Sequence, residues 1–320
     1  MYLTGKNILI TGINGFVGSA CAESFVRQGA HVVGIVKDFN RKTSKWVTDN
    51  CSIVCGDIRD FDTLTYAISH YEIDYVLHLA AQPIVKICHS DPRVAYATNV
   101  MGTVNVLEAC RVQNIPPTKI IVMVSDKYYG STPTLPYIED LPPSVADTYC
   151  TSKTCQDMIA RSYAMTYGLP ALTVRAGNIY GPGDFNMSRL IPKSIIKLYR
   201  GESPVLYSHA ANMVREFLYV DDIVQAFQIL LEKGEPGEAY NVGGTTPYRI
   251  GEVMEMLRQE VNPSIPIIIE ETMFGEISEQ YLNADKLRSL GWEPTVGLKE
   301  GLSRSFKFYK ACVDNGKAGV

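Results

Sequence analysis

KNILITGINGFVG, residues 6–18, decides the fold. After Lys6 it reads as a short apolar β-strand that carries no charge. Gly12, Gly15 and Gly18 follow at once, and a helical pattern opens near Phe16. A strand, a tight turn and a helix N-terminus together present backbone N–H groups and partial positive charge, which suits a pyrophosphate. The spacing is G-x-x-G-x-x-G, whereas the commonest dinucleotide fingerprint is G-x-G-x-x-G, and an ordinary glycine-rich turn has the same composition.

The pattern continues outward. Further strands are predicted at 31–36, 52–55, 74–79, 119–125 and 171–176, and helices near 16–28, 60–70, 92–113, 148–167, 189–200, 221–232, 249–260 and 297–311. Near-continuous apolar strands alternating with helices imply a parallel sheet covered on both faces, a doubly wound α/β fold of Rossmann type. Beyond about residue 177, Gly181-Pro182-Gly183, Pro192, Pro204, Pro236-Gly237 and Pro263 cut the pattern into shorter pieces. The expected organisation is a dinucleotide-binding domain over 1–177, rejoined by segments near 217–243, and a smaller substrate-binding lobe over 178–320.

A chain of 320 residues is long enough for that arrangement. The net charge of −4 gives no basic surface for nucleic acid or an anionic membrane. No apolar run approaches the roughly 18 residues of a membrane span. The N-terminus enters a strand without a basic leader, which suggests a cytoplasmic protein. Eight cysteines form no paired Cys-x-x-Cys motif, and no histidine stands at ligand spacing, so reduced thiols and no metal site are expected.

Two positions bear on the nucleotide. An acid normally closes strand two and takes the ribose 2′-hydroxyl. Here Val36 stands there, followed by Lys37, which suits a 2′-phosphate, and Asp38, which repels one. NAD and NADP both stay open. Asp57, in the stretch Cys55-Gly-Asp-Ile58, reads as an adenine partner or as a helix N-cap.

The chemistry gathers around IVMVSDKYYG, residues 121–130. It reads as a buried strand ending at Ser125, with an acid, Asp126, and a base-capable cation, Lys127, directly after it. Tyr149-x-x-x-Lys153 opens a helical pattern and puts both side chains on one face. A free phenol titrates near 10, so proton abstraction near neutrality needs about 4 kcal/mol of phenolate stabilisation. Lys153 and an oxidised nicotinamide, both positive, would supply it. The Asp126-Lys127 pair is more acid–base equipment than alcohol oxidation needs and points to loss of water.

These residues resemble the extended short-chain dehydrogenases/reductases, in the nucleotide-sugar epimerase/dehydratase branch. The likeness runs through TGINGFVG, GDIRD, HLAAQ, TNVMGT, Tyr149-x-x-x-Lys153, RAGNIYGPGD, REFLYVDD and NVGG. Ser-Asp-Lys at 125–127 is most similar to the CDP-glucose 4,6-dehydratases, while REFLYVDD is closer to the epimerase pattern, so the nucleotide stays open. The resemblance implies a recycled, tightly bound NAD or NADP and a nucleotide-diphosphate hexose substrate. It implies that Tyr149 and Lys153 serve C4 oxidation, Ser125 holds O4 and Asp126 protonates the departing C6 hydroxyl. Lys127 is either the C5 base or a charged group that only orients sugar oxygens. Cofactor contacts are implied for Gly12, Gly15, Phe16, Val17, Gly18, Lys37, Asp57, Ile58, Leu79, Ala80, Ala81 and Asn99, besides Tyr149 and Lys153. Substrate contacts are implied for Gln82, Asn178, Arg189 and Arg215. Dehydration of the 5,6 type, C4 epimerisation and a non-catalytic dinucleotide sensor are the alternatives. The helices near 92–113 and 148–167 are apolar on more than one face, and the resemblance implies a homodimer through them.

Overall fold

A computed structural model of the chain describes residues 2–38, 44–144, 147–244, 246–271 and 277–316. Six strands alternate with helices: β1 (Asn7–Thr11), β2 (His31–Val36), β3 (Ser52–Cys55), β4 (Tyr75–His78), β5 (Lys119–Met123) and β6 (Ala171–Ala176). With Ala239–Val242 they form one parallel sheet in the order Ala239–Val242, β6, β5, β4, β1, β2, β3. This is the doubly wound α/β fold that the alternation predicts. The strand order reverses between β1 and β4, where a crevice opens at the carboxyl ends.

Both faces of the sheet are covered. Ile8 and Ile10 of β1 pack into one core and Leu9 into another. Ile121 of β5 faces the first core, Ile120 and Val122 the second. The twofold period of a strand therefore feeds two apolar layers, which is why these segments are apolar throughout. The helices Phe16–Arg27 and Val220–Lys233 pack together on one side. Phe61–His70, Gly102–Arg111 and Thr148–Tyr167 form the other layer.

Two local expectations are corrected. The strand of the Ser125 segment ends at Met123, two residues early. Ser125 is extended (φ −153°, ψ 155°) and its hydroxyl accepts the Lys127 N–H at 3.2 Å, capping a single 3-10 turn, Asp126–Tyr128. A serine at an N-cap competes with the ladder for backbone partners, so the chain turns before the apolar run ends. The segment 92–113 is also not one α-helix. It runs through Pro92–Ala95, a wide π-turn at Tyr96–Met101, and Gly102–Arg111. The wide turn carries Asn99, whose side chain grips the Gln82 backbone from both ends (2.7 and 3.2 Å) and donates to Ser152 Oγ at 2.9 Å. No apolar periodicity signals such a bond set.

Beyond β6 the strand Val214–Tyr219 pairs with Asn178–Tyr180, Pro247–Arg249 and Glu279–Gln280. Val205–Tyr207 pairs with Ile268–Glu270. Helices Leu190–Tyr199, Ile250–Val261 and Leu298–Asp314 pack on one another. Asp222, the last residue of REFLYVDD, accepts from Thr295 N, Thr295 Oγ1 and Val296 N (2.7–3.2 Å), and its carbonyl accepts from buried Trp292 Nε1 at 3.0 Å. One acid thus ties the C-terminal segment to the sheet layer. No helix among the described residues is long and apolar enough to cross a membrane.

Candidate active site

A cleft of about 1200 Å³ runs along the carboxyl edge of the sheet and on to the segments that follow β6. Its wall holds Gly12, Gly15, Phe16, Val17, Gly18, Lys37, Asp57, Ile58, Leu79, Ala80 and Ala81 at one end. Ser125, Asp126, Lys127, Tyr149, Lys153, Asn178, Arg189 and Arg215 line the rest. Residues far apart in sequence are brought to one cavity. Gln82 and Asn99 are not on its wall; they bond to each other behind it.

The glycine turn accommodates a diphosphate by leaving out side chains. Gly12 has φ +74°, and a Cβ there would stand 3.0 Å from Ala80 Cα. At Gly18 a Cβ would stand 2.3 Å from the Gly12 carbonyl oxygen. Helix Phe16–Arg27 begins here with no acid in its first turn, so its positive end stays uncompensated toward the cleft. The residues present therefore fit a dinucleotide.

A buried polar chain fixes the floor beside that turn. Thr11 Oγ1 accepts the N–H groups of Leu79 (3.2 Å) and Ala80 (3.1 Å) and lies 2.7 Å from His78 Nδ1. His78 Nε2 is 3.0 Å from Thr103 Oγ1, which donates to the Asn99 carbonyl at 2.7 Å and accepts from Gln156 at 2.7 Å. Thr103 spends its proton on Asn99 and so accepts from His78 Nε2, while Thr11 Oγ1, already accepting two N–H groups, turns its proton to Nδ1; the tautomer is assigned from these bonds. Burial, and then the charge of Lys153, pulls the imidazole down to about 3, so it stays neutral.

At the end of the cleft lined by the glycine turn, Lys37 Nζ lies 3.0 Å from Asp57 Oδ2, and Arg59 grips both Asp57 oxygens at 3.1 and 2.7 Å. Partial burial of Asp57 works against its charge, but the Arg59 and Lys37 bonds overcome it and hold the carboxyl well below its usual range. Asp57 does not cap the following helix; Asp60 does, accepting from Asp62 N and Thr63 N.

Farther along the cleft, the wall rests on the Ser125 cap. Ser125 Oγ donates to Asp126 Oδ1 at 2.9 Å. Asp126 is buried, which pushes its carboxyl up despite Lys127, the Ser125 bond and Arg215. Such a group holds its proton more readily than a free carboxyl. Lys127 Nζ donates to Gln280 Oε1 at 3.1 Å. Helix Thr148–Tyr167 starts at Asp147, whose carboxylate accepts the Cys150 N–H at 2.9 Å, and it presents Tyr149 and Lys153 one turn apart. Lys153 is pulled down to about 8 by burial and donates to the Met123 carbonyl at 3.3 Å. Burial and the charge of Asp126 push the Tyr149 phenol above its usual value, against a hydrogen bond with Ser125. A phenolate at Tyr149 therefore needs positive charge brought into the cleft.

Beyond β6, Asn178 Nδ2 donates to the Glu216 carbonyl at 3.2 Å. Arg189 pairs with buried Asp184 at 3.0 Å. The Arg215 guanidinium donates to the carbonyls of Val214, Ile277 and Ser278 at 2.6–3.3 Å.

Sequence reading overlooks Glu216 and Gln280. Glu216 is 1 % exposed, and Leu282 N donates to its Oε1 at 3.1 Å. A Cβ at Gly177 or Gly243 would come within 2.7 or 2.5 Å of its carboxylate, so those glycines make its room. An acid at an inward register position of REFLYVDD was the available signal. Burial, with the charge of Asp126 adding to it, raises the Glu216 carboxyl well above its usual value. A carboxyl raised on folding stabilises fully below its unfolded value, about 4.3, and loses that contribution as pH climbs through the folded value. Glu216→Gln should therefore flatten the fall of melting temperature between pH 5 and 9 and raise stability at the alkaline end. Parallel melting curves of mutant and parent across that range would contradict a protonated Glu216.

Comparisons with known proteins place these features. The model of the family described as NAD dependent epimerase/dehydratase matches residues 8–243. An Arabidopsis thaliana trifunctional UDP-glucose 4,6-dehydratase/UDP-4-keto-6-deoxy-D-glucose 3,5-epimerase/UDP-4-keto-L-rhamnose-reductase is 31% identical over 318 residues. That match takes in 95% of this chain but only 47% of the plant protein, so the chain spans about half its length. The CDP-glucose 4,6-dehydratase of Salmonella typhimurium is 30% identical, covering 97% of this chain and 92% of that protein. The structure of UDP-glucose 4-epimerase from Thermotoga maritima, with UDP-glucose, superposes with a TM-score of 0.90 at 26% identity, covering 96% of this chain and 99% of that one. The cleft, the glycine turn and these likenesses agree: the chain belongs to the NAD-dependent epimerase/dehydratase family.

Proposed function

We propose that this chain is a nucleotide-sugar 4,6-dehydratase, converting a nucleotide-diphosphate hexose into its 4-keto-6-deoxy product and water. The observation that carries this reading is the buried Asp126, raised toward its acid form and bonded to Ser125, with Lys127 next to it on the cleft wall. Epimerisation at C4 needs a base and a hydride acceptor; it has no use for an acid at C6. A bound NAD supplies the hydride acceptor for C4, the later hydride donor for C6, and positive charge while oxidised.

The protein's own groups manage protons and position. Tyr149, as phenolate, takes the C4 hydroxyl proton while Ser125 holds O4. The resulting 4-ketone acidifies C5–H. Lys127, as neutral amine, takes that proton; the C5 electron pair forms the C5=C6 bond, the C6–O bond breaks, and Asp126 gives its proton to the leaving hydroxide as water. Lys127 returns its proton to C5 when C6 is reduced. The proton left on Tyr149 restores Asp126 through the Ser125 hydroxyl, which bonds to both. Lys153 supplies positive charge beneath the reaction, Asn178, Arg189 and Arg215 face the diphosphate end, and Lys37 with Asp57 faces the adenosine.

The deciding experiment incubates the protein with CDP-, UDP-, GDP- and dTDP-hexoses and weighs the products. Loss of about 18 mass units without added cofactor supports the reading, with NMR assigning a 4-ketone and a 6-methyl group. The likeness to the Thermotoga epimerase favours a second reading, C4 epimerisation, in which mass is unchanged and only configuration alters.

We also propose a homodimer through the helices at 92–111 and 148–167. Leu107 of this pair belongs to the subunit's own core, but Met101, Met158, Met165 and Tyr167 are exposed, Met165 at 80 %. Large apolar side chains left exposed on two elements that pack together suit a second copy. Light scattering at micromolar concentration should give twice the 35.5-kDa chain mass; a monomer would refute the assembly.

A further inference from the structure

The Lys127 ammonium lies against an amide, not a carboxylate. Gln280 is 1 % exposed and accepts from Lys127 Nζ at 3.1 Å. The backbone on both sides of Gln280 is pinned. Val214 N donates to the Ser278 carbonyl at 2.8 Å and Arg215 donates to Ile277 and Ser278. On the far side Tyr137 N donates to the Tyr281 carbonyl at 2.9 Å, and Leu282 N to Glu216. The amide nitrogen, Nε2, is buried with no hydrogen-bond partner among the described residues.

An amide differs from a carboxylate in one decisive way. Its oxygen accepts from an ammonium, and after a half-turn its N–H donates to the lone pair of a neutral amine. The half-turn breaks no other side-chain bond among the described residues, since Nε2 makes none there. A carboxylate at the same place would favour the charged lysine only. Among the described residues, the ionisable groups about Lys127 are Asp126 on its own turn and the Cys150 thiol at the start of the Tyr149 helix, with Arg215 behind them as neighbour of Asp126 and strand partner of Gln280.

We propose that Gln280 is a positioning residue that holds Lys127 Nζ at the sugar in both of its protonation states, and so makes it the C5 base and not a fixed cation. This rests on the dehydratase reading for the identity of the proton transferred. The proton moves from C5 to the Lys127 lone pair and back to C5; Gln280 exchanges none.

The test reads the Lys127 proton directly and the reaction separately. Purified holoenzyme is pulsed with acetic anhydride across a range of pH, and acetylation of Lys127, which only the neutral amine undergoes, is followed by peptide mass. In Gln280→Glu the labelling midpoint should rise by about one pH unit or more, as an adjacent carboxylate dictates. The rising limb of water loss should move with it, while C4 oxidation is unchanged. Gln280→Met, of similar size and without either hydrogen-bonding end, should slow water loss by about tenfold to a hundredfold at unchanged KM. A wild-type labelling midpoint in Gln280→Glu overturns the proposal. If that variant does not fold, wild-type water loss by Gln280→Met overturns it. If the parent removes water from no nucleotide hexose, the dehydratase reading fails, and the labelling midpoint alone decides whether Gln280 governs the Lys127 proton.

Discussion

Asp126→Asn should slow loss of water by about 10²–10⁴-fold while leaving oxidation at C4 intact. The side chain keeps its shape, so the Ser125 hydroxyl can still donate to Oδ1 as it does at 2.9 Å in the parent. What goes is the proton that leaves with the C6 hydroxyl. Tyr149 and Lys153 are untouched, so the 4-keto form should build up on the enzyme and the near-ultraviolet absorbance of reduced nicotinamide should rise on mixing with substrate. Tyr149→Phe should show neither event. The pH dependence carries a second signature. Burial raises Asp126, so the acid form persists above the ordinary carboxylate range, and the parent's elimination step should decline only as pH climbs through that raised value. In Asp126→Asn that declining limb should vanish. Elimination at the parent rate, with that step shown to limit turnover, would remove the acid from Asp126 and move the epimerase reading ahead.

Much of this was legible because it depends on local spacing. Gly12, Gly15 and Gly18 announce a turn in which added side chains would strike backbone, and the structure has them there. The apolar runs announce the sheet because both of its faces are covered, as Leu9 against Ile8 and Ile10 illustrates. Tyr149 and Lys153 share a face by helix geometry alone. What stayed hidden depends on partners far away in the chain. Gln280 meets Lys127 across 153 positions, and Glu216 meets Leu282 across 66. Asn99 reads as a helix residue until a wide turn aims it at Gln82. β5 ends before its apolar run does: Val124 extends the run and its N–H still donates to the Val174 carbonyl at 2.7 Å, but the Ser125 hydroxyl captures the Lys127 N–H and turns the chain. Burial and Asp126 raise the Tyr149 phenol, so of the two cations that the sequence pairs with it, Lys153 and an oxidised nicotinamide, the second has to bring charge into the cleft.

Arg175→Met should cost about 3–5 kcal/mol of stability, and Asp157→Leu in the same chain should restore most of it. Both side chains are 0 % exposed, with Arg175 Nε and Nη2 on the two Asp157 oxygens at 3.0 and 2.9 Å. Thr173 Oγ1 adds a third bond to Asp157 at 2.7 Å. Removing the arginine alone leaves a carboxylate in a dry core with one neutral donor and only the half-exposed Arg161 guanidinium, 4.0 Å away, as countercharge, which is why the single change is costly. Replacing both partners removes the uncompensated charge together with its remedy, and the net worth of the pair is then small. Urea unfolding of the two single variants and the double variant measures the coupling directly. The pair also reaches the active site. The Arg175 guanidinium stacks 3.6 Å over the Tyr128 ring and donates to Tyr129 Oη at 2.9 Å, and these tyrosines directly follow Asp126 and Lys127. Asp157 lies one turn beyond Lys153 on the Tyr149 helix. One buried ion pair thus holds the turn that follows Asp126 and Lys127 against the helix that carries Tyr149. The double variant should therefore fold and yet eliminate water slowly, because apolar replacements supply stability without the stacked guanidinium. A loss below about 1 kcal/mol in Arg175→Met, or full turnover in the double variant, would show that the turn is held by its Ser125 cap instead.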